Sequence, residues 1–325
     1  MKFEELKSSF KSNIASGYYL FGVDEFLLTS AYKLIVKYSG ITMPDLNVIT
    51  FSEGIIDGED VVRALDTMPL FDNKKIVYLD IRMSKKSELK NFNVIEDYLK
   101  SPNNMAILIV NIGDNDISAI NKNLLTQVDC NRLDYKIVSL KIKAVLSAKG
   151  KTIDDKSTKL LFDYALGDLA KIMLDIDKLV AYIGDRKEVT VDDIKNLVTQ
   201  SLEYKIFELT EGLSKKDSGK VFAIIEDMKG KKEEYKTLPA LIYAHFRRLF
   251  MVAINKSATN FELSQMLGIK EYAVKMTQNQ VNLFTKSSLK KINDLCAKLD
   301  FDLKQSNISI DNYINVLVLT ILNLK

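Results

Sequence analysis

The sequence predicts a doubly wound α/β domain with a five-stranded parallel sheet, followed by two all-helical domains. Three observations lead to this prediction. Short, β-rich apolar runs alternate with amphipathic stretches from the start of the chain to Ser139, strand signals cease after Ser139, and the helical stretches become longer from Tyr204 onward. We therefore expect domains at residues 1–139, 140–203 and 204–325.

Five apolar runs predict the strands of the first domain. Parallel neighbours need a crossover connection, and strands that are buried on both faces of a sheet are apolar along their length. The runs satisfy both conditions. They are apolar along most of their length, and the amphipathic stretches between them can form the crossover connections. They lie at residues 17–22 (GYYLFG), 47–51 (NVITF), 75–79 (KIVYL), 105–111 (MAILIVN) and 136–139 (KIVS).

The stretches between these runs predict helices. Asp24, Asp57 and Ser118 stand near three of the expected N-termini, where a short polar side chain can accept a hydrogen bond from an unpaired backbone N–H. The predicted helices span residues 24–37, 57–65, 87–99 and 118–127.

The region after Ser139 has the pattern helix, turn, helix. Gly150, Gly167 and Gly184 mark its turns, and four helices with short links can share one small core. These helices are predicted at residues 141–148, 154–166, 169–182 and 191–200.

The third region holds the longest helical stretches. Its charged segment 229–236 (KGKKEEYK) is interpreted as a solvated loop, and the absence of a fixed-period repeat disfavours a solenoid. Its helices are predicted at residues 205–212, 217–229, 238–254, 260–267, 271–281, 285–302 and 311–322.

Composition limits the classes of function. Lys and Arg total 46 against 43 Asp and Glu, so the formal net charge of +3 gives no global attraction to nucleic acid or anionic lipid. Only six of the basic residues are arginine, which argues against extensive bidentate recognition of phosphate or guanine. The N-terminal segment is polar and the longest apolar run is too short to span a membrane, so we expect a cytoplasmic protein.

The cysteines and the histidine offer little catalytic chemistry. Cys130 and Cys296 lie far apart with no neighbouring histidine, so neither a disulfide framework nor a metal site is predicted. His245 is the only histidine, which excludes any site that needs two imidazoles. We expect two buried thiols, a structural histidine and no catalytic residue.

The first strand-to-helix turn is the place to look for a phosphate loop in an α/β sheet. When the turn is aligned with the Walker A spacing, Gly22 and Thr29 fall in register, but Leu27 and Leu28 take the glycine and lysine positions. Asp24 would also repel phosphate. We therefore expect a degenerate phosphate loop and no bound cofactor, with the leucines in the core of a helix capped by Asp24.

The end of the third strand lacks the acidic pair of a Walker B motif. Asp80 is present, but Ile81 stands where the water-positioning glutamate would be. Hydrolysis of a nucleotide would lack that glutamate too.

A short apolar connection before the third strand is a candidate protein-binding element. Pro69 ends a helix and Asp72 begins a turn, which places Leu70 and Phe71 side by side in a loop. Periodicity alone favours core packing for this pair, because bulky apolar residues usually lie inside. An exposed apolar pair would instead be a candidate anchor for a partner.

Two further segments could bind DNA. Residues 261–281 have a helix, glycine turn, helix rhythm, but the second helix carries only Lys270 and Lys275, so a packed hairpin is the favoured reading. Arg247 and Arg248 are interpreted as a solvated or subunit-facing edge.

In their order and spacing, several segments resemble the delta subunits of the bacterial DNA polymerase III clamp loader. The resemblance covers essentially the whole chain. It rests on residues 18–28 (YYLFGVDEFLL), 68–79 (MPLFDNKKIVYL), 167–184 (GDLAKIMLDIDKLVAYIG), 207–217 (FELTEGLSKKD), 238–252 (LPALIYAHFRRLFMV) and 263–276 (LSQMLGIKEYAVKM).

The resemblance implies an AAA+-type first domain, a helical lid domain, and a collar domain that joins the gamma/tau ATPase subunits and delta-prime. It also implies a component of the DNA polymerase III holoenzyme that grips and opens the sliding clamp (beta), and that reaches primed DNA through the complex. The gripping element of the family is an apolar pair after a helix. It matches Leu70 and Phe71, flanked by Met68 and Pro69.

Departures from active relatives imply that the chain has no ATPase activity of its own. ATP-hydrolysing relatives carry G-x-x-R in the second domain, whereas here Ala170 stands at the arginine position after Gly167. The Ser-Arg-Cys motif that carries the arginine finger of loader relatives is also absent, and residues 129–132 (DCNR) are the nearest match to it. Two alternatives remain open: a diverged AAA+ ATPase that remodels other proteins, and a helix-turn-helix DNA-binding regulator.

Overall fold

The computed structural model describes residues 1–117, 119–269, 271–305 and 307–324. The chain divides into two compact units, Met1–Asp134 and Tyr135–Lys325. The N-cap predicted at Ser118 and the basic residue Lys270 of the helix-turn-helix segment lie outside the described residues. The division of the helical region into two domains stays a prediction.

The first unit alternates strands and helices. Two short 3-10 turns, Lys86–Glu88 and Lys122–Leu124, interrupt the pattern. Its elements are α1 Phe3–Ser9, β1 Gly17–Phe21, α2 Glu25–Tyr38, α3 Pro44–Asn47, β2 Val48–Phe51, β3 Ile56–Asp57, α4 Gly58–Asp66, β4 Lys75–Asp80, β5 Leu89–Lys90, α5 Asn93–Leu99, β6 Ala106–Gly113 and β7 Thr126–Asp129.

Five of these strands form one parallel sheet in the order β2-β4-β6-β1-β7. Tyr78 of β4 lies beside Thr50 of β2 and Ile109 of β6. The central strand β6 is buried along its whole length, because both of its edges are paired and helices cover both faces. The predicted doubly wound, five-stranded parallel sheet is confirmed.

Alternate residues of the strands face two separate cores. Val77, Leu79 and Leu108 pack with Val61 and Leu65 of α4 on one face. On the other face α2 contacts β1 and β6. The centre of its Tyr32 ring lies 4.4 Å from the centre of the Tyr78 ring. The Asp24 side chain accepts from the N–H groups of Phe26 and Leu27 and caps α2, as predicted.

The predicted strand at residues 136–139 is wrong. These residues belong to a helix whose buried side chains, Val138, Ile142 and Leu146, recur every four positions. The fifth strand is β7, which has one partner strand and needs only Val128 in the core. Its sequence therefore looks polar. The helix predicted at residues 118–127 is wrong, because residues 119–127 hold a 3-10 turn, Lys122–Leu124, and the start of β7.

The predicted helix at residues 87–99 is only partly correct. A 3-10 turn and β5 take up its first half, and α5 begins at Asn93. Strand β5 pairs in parallel with β3 in a separate two-stranded sheet.

The described residues of the second unit are helical apart from turns and a small parallel pair of strands, Thr152–Ile153 (β8) and Glu188–Val189 (β9). These two-residue strands have no recognisable sequence pattern. The elements of the unit are α6 Tyr135–Ala148, β8 Thr152–Ile153, α7 Asp155–Tyr164, α8 Leu169–Ile183, β9 Glu188–Val189, α9 Val191–Leu197, α10 Leu202–Ser214, α11 Ser218–Lys229, α12 Lys232–Ile254, α13 Asn260–Leu267, α14 Glu271–Val281, α15 Lys286–Lys304 and α16 Ile310–Asn323.

Helix α12 is the core helix of the second unit. Its buried residues Leu238, Ile242 and Phe246 pack with residues of α10, α15 and α16. Among the described residues it is the one helix that is long and apolar enough to cross a membrane. Because its apolar face is covered within the unit, burial in the protein accounts for its composition.

The predicted loop at residues 229–236 is wrong in its second half, because α12 begins at Lys232. Two contacts hold this first turn in place. The buried Lys205 ammonium lies 2.8 Å from the Glu234 carboxylate and 2.7 Å from that of Asp227, and the Tyr235 hydroxyl donates to Asp311 at 2.7 Å. Some charged residues of a segment that the sequence predicts to be a solvated loop therefore form contacts within the second unit.

His245 is buried inside the second unit and has a structural role. Its Nε2 lies 3.0 Å from the side-chain oxygen of Gln280, whose amide donates to the Phe207 carbonyl at 2.7 Å. Gln280 therefore accepts from a neutral imidazole. Burial lowers the pKa of His245 to about 3.

This pKa predicts that stability depends on pH in a range where few other groups titrate. An unfolded histidine has a pKa of about 6.5, so the unfolded chain binds one more proton below that value. We expect the free energy of unfolding to fall by about 1.4 kcal/mol between pH 7.5 and pH 5.5. Urea denaturation at both values measures this change.

The matched control for the pH effect is His245→Gln, because the chain has no other histidine. The variant should show a much smaller difference between pH 7.5 and pH 5.5, whatever its absolute stability. An equal difference in both proteins would assign the pH dependence to carboxylates.

Candidate functional site

The connection between α4 and β4 exposes a run of apolar side chains. We call Met68, Pro69, Leu70 and Phe71 the 68–71 loop. The relative exposure of Met68 is 75%, that of Leu70 is 53% and that of Phe71 is 87%, whereas Pro69 is half-buried. The core packing that periodicity favours for Leu70 and Phe71 is therefore wrong. An exposed apolar run on a loop is typical of a protein-binding surface.

A buried asparagine holds the middle of this loop. Asn47, at the end of α3, is 1% exposed. Its side-chain oxygen accepts from the Leu70 N–H at 2.7 Å, and its amide donates to the Leu70 carbonyl at 2.8 Å. The backbone of Leu70 is therefore paired as it would be in a sheet, while the side chain is left at the surface.

The same connection lies next to a second exposed apolar segment. Met43 and Leu46, which precede Asn47 in the chain, are both exposed. Asp72 accepts from the Met43 N–H at 3.0 Å, which joins that segment to the end of the loop. The first unit thus presents apolar side chains from two adjacent segments.

The degenerate phosphate loop is a capped helix start, as the sequence predicts. Leu27 and Leu28 are buried in the core under α2, and Thr29 lies exposed on the same helix. Gly22 has φ 132°, and a Cβ there would lie 2.4 Å from the backbone carbon of Cys130. A glycine is therefore needed at position 22, because two backbone segments pack closely there.

An ion-pair network fills the edge of the sheet where a nucleotide would need cationic and metal-binding groups. The Arg82 Nε donates to Asp80 Oδ1 at 2.8 Å and its Nη2 donates to Asp80 Oδ2 at 2.6 Å. Arg82 Nη1 also donates to Glu25 in the first turn of α2. The hydrogen bond to Asp80 is the main cause of a raised Arg82 pKa.

This network makes the site a poor match for a magnesium–nucleotide complex. Both oxygens of Asp80 are occupied by Arg82, so a metal ion would have to displace the arginine. Glu25 puts a carboxylate in the first turn of α2, at the kind of helix N-terminus where P-loop proteins bind phosphate. Arg82 has no sequence signal for this role, because its pairing with Glu25, 57 positions away in the chain, depends on the fold.

We expect the isolated chain to bind ATP with magnesium no more tightly than a Kd of about 1 mM. The physical reason is the loss of the lysine and the engagement of Asp80 by Arg82. Isothermal titration calorimetry measures the affinity, with an AAA+ ATPase that has intact Walker motifs as the positive control. Magnesium-dependent binding in the micromolar range would favour the alternative of a diverged ATPase.

The other nucleotide-handling positions also have structural roles. Asp168 caps α8 by accepting from the Lys171 N–H at 3.1 Å, and Ala170 lies in the first turn of that helix. Burial raises the pKa of the Cys130 thiol to about 12, so this cysteine is an inert core residue.

The helix-turn-helix segment is built as a packed hairpin. Ala273, Val274 and Thr277 of α14 are buried within the second unit. Among the described side chains of α14, only Lys275 and Asn279 are exposed, and the others are buried or half-buried. A DNA-reading helix needs a broader exposed face, so this geometry disfavours the regulator alternative.

The remaining basic and acidic groups do not form a second centre. Arg248 donates to Glu203 at 2.6 Å, while Arg247 is exposed. Within the part of the chain that the structure describes, no group of three or more His, Cys, Asp or Glu side chains is placed to hold a metal ion. The 68–71 loop is therefore the strongest candidate site.

Comparisons with known proteins match both ends of the chain to one family. Residues 18–131 match the family model described as "DNA polymerase III, delta subunit", and residues 203–321 match "DNA polymerase III delta subunit, C-terminal domain". The chain is similar to DNA polymerase III subunit delta of Bacillus subtilis, with 24% identity over 94% of this chain and 92% of that protein. It also resembles the solved structure of the Bacillus subtilis DNA clamp loader delta protein, with a TM-score of 0.77, 22% identity, and coverage of 99% of this chain and 100% of that one.

Proposed function

Because the chain belongs to the DNA polymerase III delta subunit family, we propose that it binds the sliding clamp through the 68–71 loop and favours the open form of the clamp. The observation that supports this proposal is the exposure of Leu70 and Phe71. Two bulky apolar side chains at the surface of a soluble domain have a hydration cost that a partner with an apolar pocket would remove.

The binding energy would come from a few anchors. Burial of two large apolar side chains supplies on the order of 3 to 6 kcal/mol before ordering costs. Met68 can widen the contact because a thioether side chain adapts to irregular pockets. Leu70 and Phe71 would enter the pocket, while Pro69, which is half-buried, fixes the backbone direction.

Opening follows from differential binding. If the surface around the loop fits the open clamp better than the closed clamp, binding shifts the equilibrium toward the open form by the difference in affinity. No hydrolysis by this chain is needed for that shift. Nucleotide binding by the neighbouring loader ATPases would then decide when the loop is available.

The helical region would supply the other partners. In this proposal residues 204–325 form the collar that joins the gamma/tau ATPases and delta-prime, residues 140–203 form the lid, and primed DNA is met through the assembled complex. The chain would act in the cytoplasm as part of the replicative polymerase holoenzyme.

The test uses this chain and the sliding clamp of the same host. We expect the two proteins to coelute in size-exclusion chromatography without nucleotide. We also expect the chain alone to speed the release of clamps from nicked circular DNA by about tenfold or more, because it favours the open ring. Absence of a complex would refute the proposal, and a complex without faster release would refute opening while keeping binding.

A further inference from the structure

The backbone of the 68–71 loop is held in a conformation that its sequence does not favour. Phe71 has φ 61°, which is the left-handed region, and it is neither glycine nor asparagine. A bulky residue in this region is strained, and such strain persists only where the surroundings fix the backbone. The side chain of Phe71 is almost fully exposed, so packing of its own ring does not fix it.

Polar contacts on both sides of Phe71 fix it instead. Asn47 pairs with both backbone groups of Leu70, as described above. On the other side, the Asp72 carboxylate accepts from the Thr42 N–H at 3.0 Å, the Thr42 hydroxyl at 2.7 Å and the Met43 N–H at 3.0 Å. Asn47 also donates to Asp72 at 2.9 Å, so the two anchors are joined.

The start of the loop has an anchor as well. The Lys75 side chain is buried at the start of β4, and its ammonium donates to the hydroxyl of Thr67, the residue that ends α4. Burial lowers the pKa of Lys75. The loop is therefore tied to β4 before Met68, and to the segment 42–47 at Leu70 and after Phe71.

We propose that Asn47 and Asp72 are positioning residues for clamp binding, which hold Leu70 and Phe71 in the bound conformation before the clamp arrives. This inference rests on the proposed function and adds to it the way in which the apolar pair is kept ready. A loop that is free in solution must be ordered when it binds, and that ordering weakens affinity. A loop that is already fixed avoids the loss, although neither Asn47 nor Asp72 needs to touch the clamp.

The test compares two buried asparagines of the same unit. Asn47→Ala removes the anchor, whereas Asn111→Ala removes an equally buried amide that donates to the Tyr78 hydroxyl at 2.8 Å, within the sheet. Surface plasmon resonance on immobilised clamp should show affinity about tenfold weaker for Asn47→Ala, and within about twofold of wild type for Asn111→Ala. Both variants should lose stability, so thermal melting alone does not separate them.

A second measurement reports on the loop without the clamp. The Leu70 N–H is donated to a buried acceptor, so its exchange with deuterium should be slow in the wild type and in Asn111→Ala and faster in Asn47→Ala. Asp72→Ala, at a position that is not part of the core, is the second variant in case Asn47→Ala does not fold. We expect it to weaken clamp affinity severalfold.

The outcomes distinguish this inference from the proposed function. Equal affinities for Asn47→Ala, Asp72→Ala and Asn111→Ala, together with a large loss for the double variant of Leu70 and Phe71, would overturn positioning and keep clamp binding. If the double variant also binds like the wild type, both proposals fail. Faster Leu70 exchange without weaker binding would likewise overturn positioning.

Discussion

Replacing Leu70 and Phe71 together with alanine should weaken clamp binding by at least about 100-fold, which corresponds to about 2.7 kcal/mol. Burial of the two side chains can contribute on the order of 3 to 6 kcal/mol. The expected minimum loss lies below that range, because the alanine variant no longer has the cost of ordering these side chains on binding. Stability should stay within about 0.5 kcal/mol of the wild type, since both side chains are exposed. Surface plasmon resonance and urea denaturation measure the two quantities.

The matched control removes two other apolar side chains that are also more than half exposed. Met83 and Phe301 are 93% and 62% exposed, and neither lies in the 68–71 loop. The variant Met83→Ala with Phe301→Ala should bind the clamp like the wild type. If it loses as much affinity as the loop variant, the contact is general hydrophobic adhesion and the 68–71 loop has no special role.

Gly58→Ala should destabilise the protein by about 3 kcal/mol, through overpacking against a rigid neighbour. Gly58 is the first residue of α4, and a Cβ there would lie 2.3 Å from the Asn91 carbonyl oxygen and 3.2 Å from the Phe92 Cα. Because these are backbone atoms, relief requires moving α4 or the turn before α5. Urea denaturation at pH 7.5 measures the loss.

Gly219→Ala is the control for the glycine substitution. Gly219 also lies in the first turn of a helix, α11, but the nearest atom to its added Cβ is the Asp217 side-chain oxygen at an ordinary 3.6 Å. Alanine should stabilise this helix by up to about 1 kcal/mol, because it lowers the entropy of the unfolded chain. A similar loss in both variants would show that crowding against the Asn91 and Phe92 backbone does not set the effect at Gly58.

The strands of the first unit can be predicted from the sequence where both faces of a strand are buried. Strand β6 is covered on both faces, so its apolar run identifies it without knowledge of its neighbours. Strand β7 was missed for the opposite reason, since an edge strand with one buried side chain has no distinctive pattern. The run 136–139 was misassigned because four residues are too few to separate a strand from the first turn of an amphipathic helix.

The candidate site was predictable only in part. Leu70 and Phe71 are visible in the sequence as an apolar pair next to turn residues, but their exposure depends on the backbone conformation at Phe71. Asn47 was read as the start of a strand, and nothing local indicates that its amide reaches a residue 23 positions away. Asp72 is predicted only as a turn residue, and its sequence position does not indicate its bonds to Thr42 and Met43.

The Arg82 network also constrains which sequences can be reached by single substitutions. Leu28→Lys alone would bury an ammonium in the core, and Leu27→Gly alone would leave a cavity. Loss of Arg82 alone would leave Asp80 and Glu25 without the cation they share. Each single step toward a phosphate-binding loop therefore destabilises the fold before the other required groups are present, so several substitutions would be needed together.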